Sequence, residues 1–250
     1  MLPPSIAVLS CAALASSAPS SRLAATRIGA MRGGSSDRTF SAADAHGGEP
    51  IDPRTTALVL IEYQNEFAAE GGKLHDAVKE VMGQTQMIAK TVEACEAARA
   101  AGAKVVHSPI LFREDMTDNP NKALGILAGV NDNKLFVEGT WNADFVEPMR
   151  PKDGDLLVVG KKGLDAFPGT NLEELLVQNG IKTIVLGGFL TNCCVESTMR
   201  TAYEKGFNVV TLTDCTATTS EAAQSASTGG TYGMFSKPMT KDEFVAELRK

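Results

Sequence analysis

The chain of 250 residues has few of the side chains that build metal sites or disulfide frameworks. Its histidines are His46, His75 and His107, and a lone histidine is more often a hydrogen-bonded structural residue than a metal ligand. Five cysteines, an odd number, do not form the pattern of a disulfide-stapled domain and indicate a reducing compartment. We therefore expect no metal ion and no cofactor.

Positive charge is also scarce outside the N-terminal segment. The 24 Lys and Arg residues are outnumbered by 30 Asp and Glu residues, which gives a net charge of −6 and a pI of about 5.2. The apolar stretch at residues 6–15 is too short to cross a bilayer as a helix. Nucleic acid and membrane are therefore poor candidate partners, and we expect neither.

The N-terminal segment lacks acidic residues. Residues 1–36 contain no Asp or Glu, and Arg22, Arg27 and Arg32 carry the charged side chains there. Such an acid-poor, Ser- and Arg-rich segment is typical of an organelle transit peptide, here for a plastid in preference to a mitochondrion. The alternative is a disordered tail, which would leave the protein in the cytoplasm. We divide the chain into a targeting or disordered extension, residues 1–50, and a folded domain, residues 51–250.

Short apolar runs alternate with helical patterns along the folded part. The runs of strand length are residues 57–61, 104–107, 156–159, 183–186 and 208–212. A long helix is predicted over residues 75–101, and capping boxes at Thr170 and Thr240 predict two further helix starts. This alternation predicts an α/β fold in which helices cover both faces of a parallel sheet. Residues 109–142 are irregular, which is typical of a lid or binding loop.

Three polar side chains follow predicted strands. Glu62 comes after the first strand, Lys161 after the third and Cys194 after the fourth. Ligands bind beyond the carboxyl ends of the strands in open parallel sheets, so the topology brings these residues to one crevice.

Cys194 lies in a stretch that reads as a strand, a Gly187-Gly188 turn and a helix start. Free N–H groups and the helix dipole would favour a thiolate there and lower the thiol pKa. In the other interpretation, Cys193 and Cys194 are small buried packing residues. The local stretch leaves both open, and the convergence with Glu62 and Lys161 favours Cys194 as a nucleophile.

Three segments in this order resemble the isochorismatase-like cysteine hydrolases. They are residues 60–67 (LIEYQNEF), 161–167 (KKGLDAF) and 188–195 (GFLTNCCV). The resemblance implies a three-layer α/β/α sandwich around a parallel sheet of about six strands with Rossmann-type topology. It also implies a homo-oligomer that acts on a small-molecule substrate.

The same resemblance implies a catalytic triad of acid, lysine and cysteine that hydrolyses amides or, in some members, a vinyl ether. On this chain the triad positions are Glu62, Lys161 and Cys194. The backbone amides of Leu190 and Cys194 would form the oxyanion hole, and the peptide bond between Phe189 and Leu190 would be cis. We expect a cysteine hydrolase that cleaves a C–N bond.

The chain departs from the family pattern at Glu62 and at Glu66, where Asp is usual. A Glu carboxylate can still reach the thiol proton if the backbone shifts slightly. Glu62 could instead pair with Lys161 for structural reasons, in which case the protein would be a catalytically silent binder or scaffold. A redox sensor based on Cys193 and Cys194 is a third possibility.

The resemblance bears on metal binding, and the aromatic residues suggest a substrate pocket. Nicotinamidases of this family bind a divalent metal through an Asp-x-His element, which this sequence lacks. Phe67, Phe112 and Trp141 are candidates for an apolar wall of the substrate pocket, and Trp141 could instead lie in a subunit interface.

Overall fold

The computed structural model describes residues 51–250, and the predicted extension of residues 1–50 lies outside them. Six parallel strands form one sheet in the order β3-β2-β1-β4-β5-β6. The strands are β1 (Thr56–Ile61), β2 (Lys104–Ser108), β3 (Leu156–Leu157), β4 (Thr183–Phe189), β5 (Asn208–Ala217) and β6 (Lys237–Met239). This topology confirms the predicted Rossmann-type parallel sheet.

Helices lie on both faces of the sheet. They are α1 (Asn65–Ala68), α2 (His75–Thr85), α3 (Met87–Ala101), α4 (Gly125–Asp132), α5 (Leu172–Gln178), α6 (Glu196–Glu204), α7 (Glu221–Ala226), α8 (Tyr232–Phe235) and α9 (Lys241–Glu247). No helix among residues 51–250 is long and apolar enough to cross a membrane.

The core consists of two apolar layers separated by the sheet. β1 is buried along its whole length, so its alternate side chains enter different layers. Leu58 and Leu60 pack in the layer that contains residues of α2, α3 and α9. Val59 and Ile61 pack in the layer that contains Cys194 and residues of α5 and α6. The three-layer α/β/α architecture is therefore confirmed.

The helix predicted over residues 75–101 is wrong as a single element. Gln86 has a φ of 54°, in the left-handed region, and separates α2 from α3. Its backbone N–H donates to carbonyls of the last turn of α2, which ends that helix. Apolar periodicity continues across the break, so the sequence pattern does not reveal it.

One of the two predicted capping boxes is present. Thr240 accepts from the amide of Glu243 and Glu243 accepts from the amide of Thr240, as predicted for the start of α9. The box predicted at Thr170 is wrong, because α5 begins at Leu172 and the Thr170 hydroxyl accepts from the Leu172 amide. That hydroxyl donates to the Ala166 carbonyl and so belongs to the preceding turn.

A buried polar cluster joins β2 to the segment before β3. His107 Nε2 lies 2.9 Å from Asp155 Oδ2, and Arg99 Nη2 lies 2.6 Å from the same oxygen. Burial lowers the pKa of His107 below its ordinary value, although its hydrogen bond to Asp155 acts in the opposite direction. His107 is therefore a neutral structural residue, consistent with the sequence expectation for a lone histidine.

His107→Gln is expected to weaken the pH dependence of folding stability. As pH falls through about 6.5, an unfolded His107 binds a proton that the buried imidazole resists, so the wild-type protein loses stability toward acid. Gln does not titrate, and its Nε2 can still donate to Asp155. Urea unfolding at a series of pH values between about 5.5 and 7.5 measures this difference. Parallel curves for the two proteins would contradict it.

Candidate active site

Glu62 and Lys161 form a buried ion pair at the carboxyl edge of the sheet. Glu62 directly follows β1 with a φ of 59°, and its amide donates to the Ser108 carbonyl at 3.1 Å. The Lys161 ammonium contacts the Glu62 carboxylate and donates to the Gly163 carbonyl at 2.7 Å. Each residue is only 2% exposed. Because a buried charge needs a partner, the two side chains fix each other's position.

Cys194 lies on a turn that is wider than the predicted α-helical start. The Phe189–Leu190 peptide is cis, as the family resemblance implied. A π-helical turn, Thr191–Val195, follows, and α6 begins only at Glu196. The amides of Cys193 and Val195 both donate to the Leu190 carbonyl, at 3.0 and 3.2 Å. The sequence pattern located this turn but not its winding.

Side chains from two later helices hold the start of this turn. The Thr191 hydroxyl donates to the Gln224 side-chain oxygen at 2.6 Å, and Gln224 Nε2 donates to the Thr216 carbonyl at 3.1 Å. The Tyr232 hydroxyl donates to the Thr191 carbonyl at 3.1 Å. Sequence reasoning missed Gln224 and Tyr232, because nothing in their local sequence connects them to the turn.

The electrostatic setting of Cys194 differs from the sequence expectation. The residue is 4% exposed. A hydrogen bond with Cys193, burial and the Glu62 carboxylate hold its pKa well above the ordinary value of a thiol, and Lys161 acts in the opposite direction. The expected lowering of the pKa by the helix start is therefore wrong for this resting site. Cys194 is a protonated thiol beside a carboxylate that can accept its proton.

Lys161 keeps its charge in spite of its burial. Burial alone would lower the pKa of its ammonium, but attraction by Glu62 and by Cys194 outweighs that effect and raises it. The site therefore holds a permanent positive charge that can stabilise a thiolate when the thiol proton leaves.

Glu66 is a second buried carboxylate near Glu62, with a different set of partners. It accepts hydrogen bonds from the Lys73 amide at 2.8 Å, the Phe136 amide at 3.2 Å and the Asn142 side chain at 2.9 Å. These donors belong to the loop before α2 and to segment 109–142, which is predicted to be irregular but contains helix α4. Glu66 thus fixes the segment for which the sequence predicts a lid or binding loop.

The predicted pocket residues occupy two different environments. Phe67 stacks on Phe189 with ring centroids 5.1 Å apart, and Phe112 is fully buried. Trp141 is 52% exposed and lies against Gly71. Their contact with a substrate stays a prediction.

Residues 51–250 contain no group of three or more His, Cys, Asp and Glu side chains arranged to hold a metal ion. The groups present at this edge of the sheet are the Cys194 thiol, the Glu62 carboxylate and the Lys161 ammonium.

Comparison with known proteins identifies a family over most of the described chain. The Isochorismatase domain family matches residues 56–243. The ureidoacrylate amidohydrolase RutB of Methylobacterium radiotolerans is 34% identical over 191 residues, which cover 68% of this chain and 74% of that protein.

Two solved structures are similar in fold. A cysteine hydrolase from Pseudomonas syringae pv. phaseolicola superposes with a TM-score of 0.71 at 24% identity, over 83% of this chain and 98% of the other. An N-carbamoylsarcosine amidase from Thermoplasma acidophilum has a TM-score of 0.61 at 25% identity, over 75% of this chain and 97% of the other.

Glu62→Gln is expected to accelerate alkylation of Cys194 by iodoacetamide at neutral pH. Without the carboxylate charge, one of the causes that raise the Cys194 pKa is removed while the stabilising effect of Lys161 remains, so the thiol pKa falls. Each unit of decrease raises the thiolate fraction about tenfold at a pH below the pKa. Lys161→Gln is expected to have the opposite effect. Mass spectrometry of the labelled peptide separates Cys194 from Cys193.

Glu66→Gln is the matched control, since it also neutralises a buried carboxylate but does not contribute to the pKa shift of Cys194. Its labelling rate should equal that of the wild type. Slower labelling of Cys194 in Glu62→Gln than in the wild type would contradict the electrostatic account.

Proposed function

Because the chain belongs to the isochorismatase family of hydrolases, we propose that it cleaves an amide-type C–N bond of a small molecule through a thioester on Cys194. The observation that carries this proposal is the buried ion pair of Glu62 and Lys161, whose two charges influence the pKa of the protonated Cys194 thiol. The names of two similar proteins, a ureidoacrylate amidohydrolase and an N-carbamoylsarcosine amidase, both specify compounds with a carbamoylated nitrogen. A small N-carbamoyl compound is therefore the substrate class to test first.

Acylation begins with transfer of the thiol proton from Cys194 to Glu62. The thiolate, stabilised by Lys161, attacks the carbonyl carbon, and the C=O electron pair moves to the oxygen. When the tetrahedral intermediate collapses, the C–N bond breaks and Glu62 returns the proton to the leaving nitrogen. The product of this half-reaction is a thioester on Cys194.

Backbone amides hold the oxyanion in this mechanism. We assign this role to the N–H groups of Leu190 and Cys194, as the family resemblance implies. The turn that carries them is fixed by the bonds of Thr191 with Gln224 and Tyr232. A single oxyanion donor contributes ~2.7–4 kcal/mol to lowering the barrier.

Glu62 is also the base in deacylation, where it accepts a proton from water. Glu62 removes a proton from water, the water oxygen attacks the thioester carbon, and the C–S bond breaks. The Cys194 thiolate then recovers its proton from Glu62, which restores the resting site. Glu serves here in place of the usual Asp because its carboxylate reaches Lys161 from the left-handed turn after β1.

Two further proposals concern the whole protein. Residues 1–50 direct it to an organelle, a plastid in preference to a mitochondrion, on the basis of their acid-poor, Arg-containing composition. The folded domain forms a homo-oligomer, consistent with exposed apolar side chains in and directly after the edge strand β3, namely Leu157 and Val159. Imaging of a fluorescent fusion to residues 1–50 and light scattering of residues 51–250 measure these two properties.

Cys194→Ala is expected to lower turnover of ureidoacrylate or N-carbamoyl amino acids by at least about a thousandfold, because no thioester can form. Cys95→Ala is the matched control: this thiol lies in α3, and burial raises its pKa to about 12, so it should be inert. The assay is steady-state release of ammonia over a panel of amide substrates. Turnover by Cys194→Ala close to that of Cys95→Ala would rule out the covalent mechanism.

A further inference from the structure

Ser108 lies where the two charged residues of the site meet. It is the last residue of β2, and β2 lies between β3 and β1 in the sheet. Lys161 follows β3 and Glu62 follows β1, so their ion pair crosses over the end of β2. The Ser108 carbonyl also accepts a hydrogen bond from the Glu62 amide.

The Ser108 side chain is on the same face of the sheet as the nucleophile. Ser108 is paired with Ile61 in the parallel register of β1 and β2, and paired residues direct their side chains to one face. Ile61 and Val106, two residues earlier in β2, pack in the apolar layer that contains Cys194. The hydroxyl of Ser108 therefore lies on that face, at the edge occupied by the ion pair.

This hydroxyl is fully buried and has no hydrogen-bond partner in the protein. Within residues 51–250, the buried side-chain polar atoms in this condition are Ser108 Oγ and His107 Nδ1. His107 precedes Ser108 on the strand, so its ring lies on the opposite face. The other buried hydroxyls within the described part of the chain have partners; Ser236 Oγ, for example, donates to the Tyr232 carbonyl at 2.9 Å.

A buried hydroxyl without a partner in the protein is unfavourable, so it indicates that a water molecule or a substrate atom is its partner. The register of β1 and β2 and the bond from the Glu62 amide to the Ser108 carbonyl place this hydroxyl at the strand end over which the Glu62 carboxylate and the Lys161 ammonium meet, so three polar groups are available there. That number matches the two to four partners, ~3 on average, that hold a buried water molecule.

We propose that Ser108 positions the water molecule that hydrolyses the thioester on Cys194. This proposal rests on the covalent mechanism described above. The water donates one hydrogen to Glu62 and the other to Ser108 Oγ, and Lys161 donates to its oxygen. Glu62 takes the first proton as the oxygen attacks the thioester carbon and the C–S bond breaks; the proton then passes to the Cys194 thiolate.

Ser108 would affect only the second half of the reaction, hydrolysis of the thioester. Formation of the thioester does not use this water, whereas its hydrolysis does. Loss of the hydroxyl should therefore lower kcat, lower KM in parallel and leave kcat/KM nearly unchanged, with acyl-enzyme accumulating. A side chain with a purely structural role would not separate the two half-reactions in this way.

The test uses p-nitrophenyl acetate, a small activated ester that reports acylation without knowledge of the natural substrate. Wild type, Ser108→Ala and Ser108→Thr are mixed with excess ester, and release of p-nitrophenolate is followed together with the mass of the acetylated protein. Ser108→Ala should give a burst of about one equivalent at the wild-type rate, then hydrolyse acetyl-Cys194 at least about tenfold more slowly, roughly the effect of one lost hydrogen bond. Ser108→Thr, which keeps the hydroxyl, should be faster than Ser108→Ala.

Ser236→Ala is the matched control, because it removes a buried and bonded serine hydroxyl away from the ion pair. It should hydrolyse acetyl-Cys194 at the wild-type rate. Equal deacylation rates in Ser108→Ala and wild type would overturn the role assigned to Ser108 but would leave the covalent mechanism standing. A parallel loss of acylation and deacylation in Ser108→Ala would also overturn it. Absence of acetylation at Cys194 in the wild type would overturn the covalent mechanism and this proposal together.

Discussion

The contact between Lys161 and Glu62 is the constraint on which the site depends. Neither charge can be buried alone, because an isolated ion loses several kcal/mol of hydration, whereas the pair with further hydrogen bonds is tolerated. The contact requires β3 and β1 to be placed on either side of β2, with their carboxyl ends at the same edge. The sheet order thus brings together two residues that are 99 positions apart in the sequence.

The ion pair also contributes to the resting state of Cys194, the proposed nucleophile. The hydrogen bond with Cys193, burial and the Glu62 carboxylate raise the pKa of Cys194 and keep the proton on sulfur, and the charge of Lys161 can stabilise a thiolate once that proton leaves. In this arrangement the thiolate would form only when a substrate carbonyl is present to react with it. The arrangement also protects the cysteine, because a buried neutral thiol reacts slowly with oxidants and electrophiles.

Around this centre, two networks of hydrogen bonds fix the backbone. Gln224 and Tyr232 hold Thr191 at the start of the nucleophile turn, and Glu66 fastens segment 109–142 to α1. Each network joins segments that are distant in the sequence. The proposed acyl transfer needs accurately placed groups, and these cross-links restrain the backbone that carries them.

The sequence by itself determined the parallel sheet, the buried central strand and the strand-end positions of Glu62, Lys161 and Cys194. These features follow from apolar runs, glycine turns and short motifs, all of which are local in the chain. The tertiary structure alone decided the break at Gln86, the π-helical winding around Cys194, the partners of Thr170 and the raised thiol pKa. Each of these depends on atoms contributed by other segments. A pattern of residue types indicates which face of an element is buried, but it does not indicate which hydrogen bonds and charges surround that face. Those hydrogen bonds and charges set the winding of a turn and the pKa of a side chain.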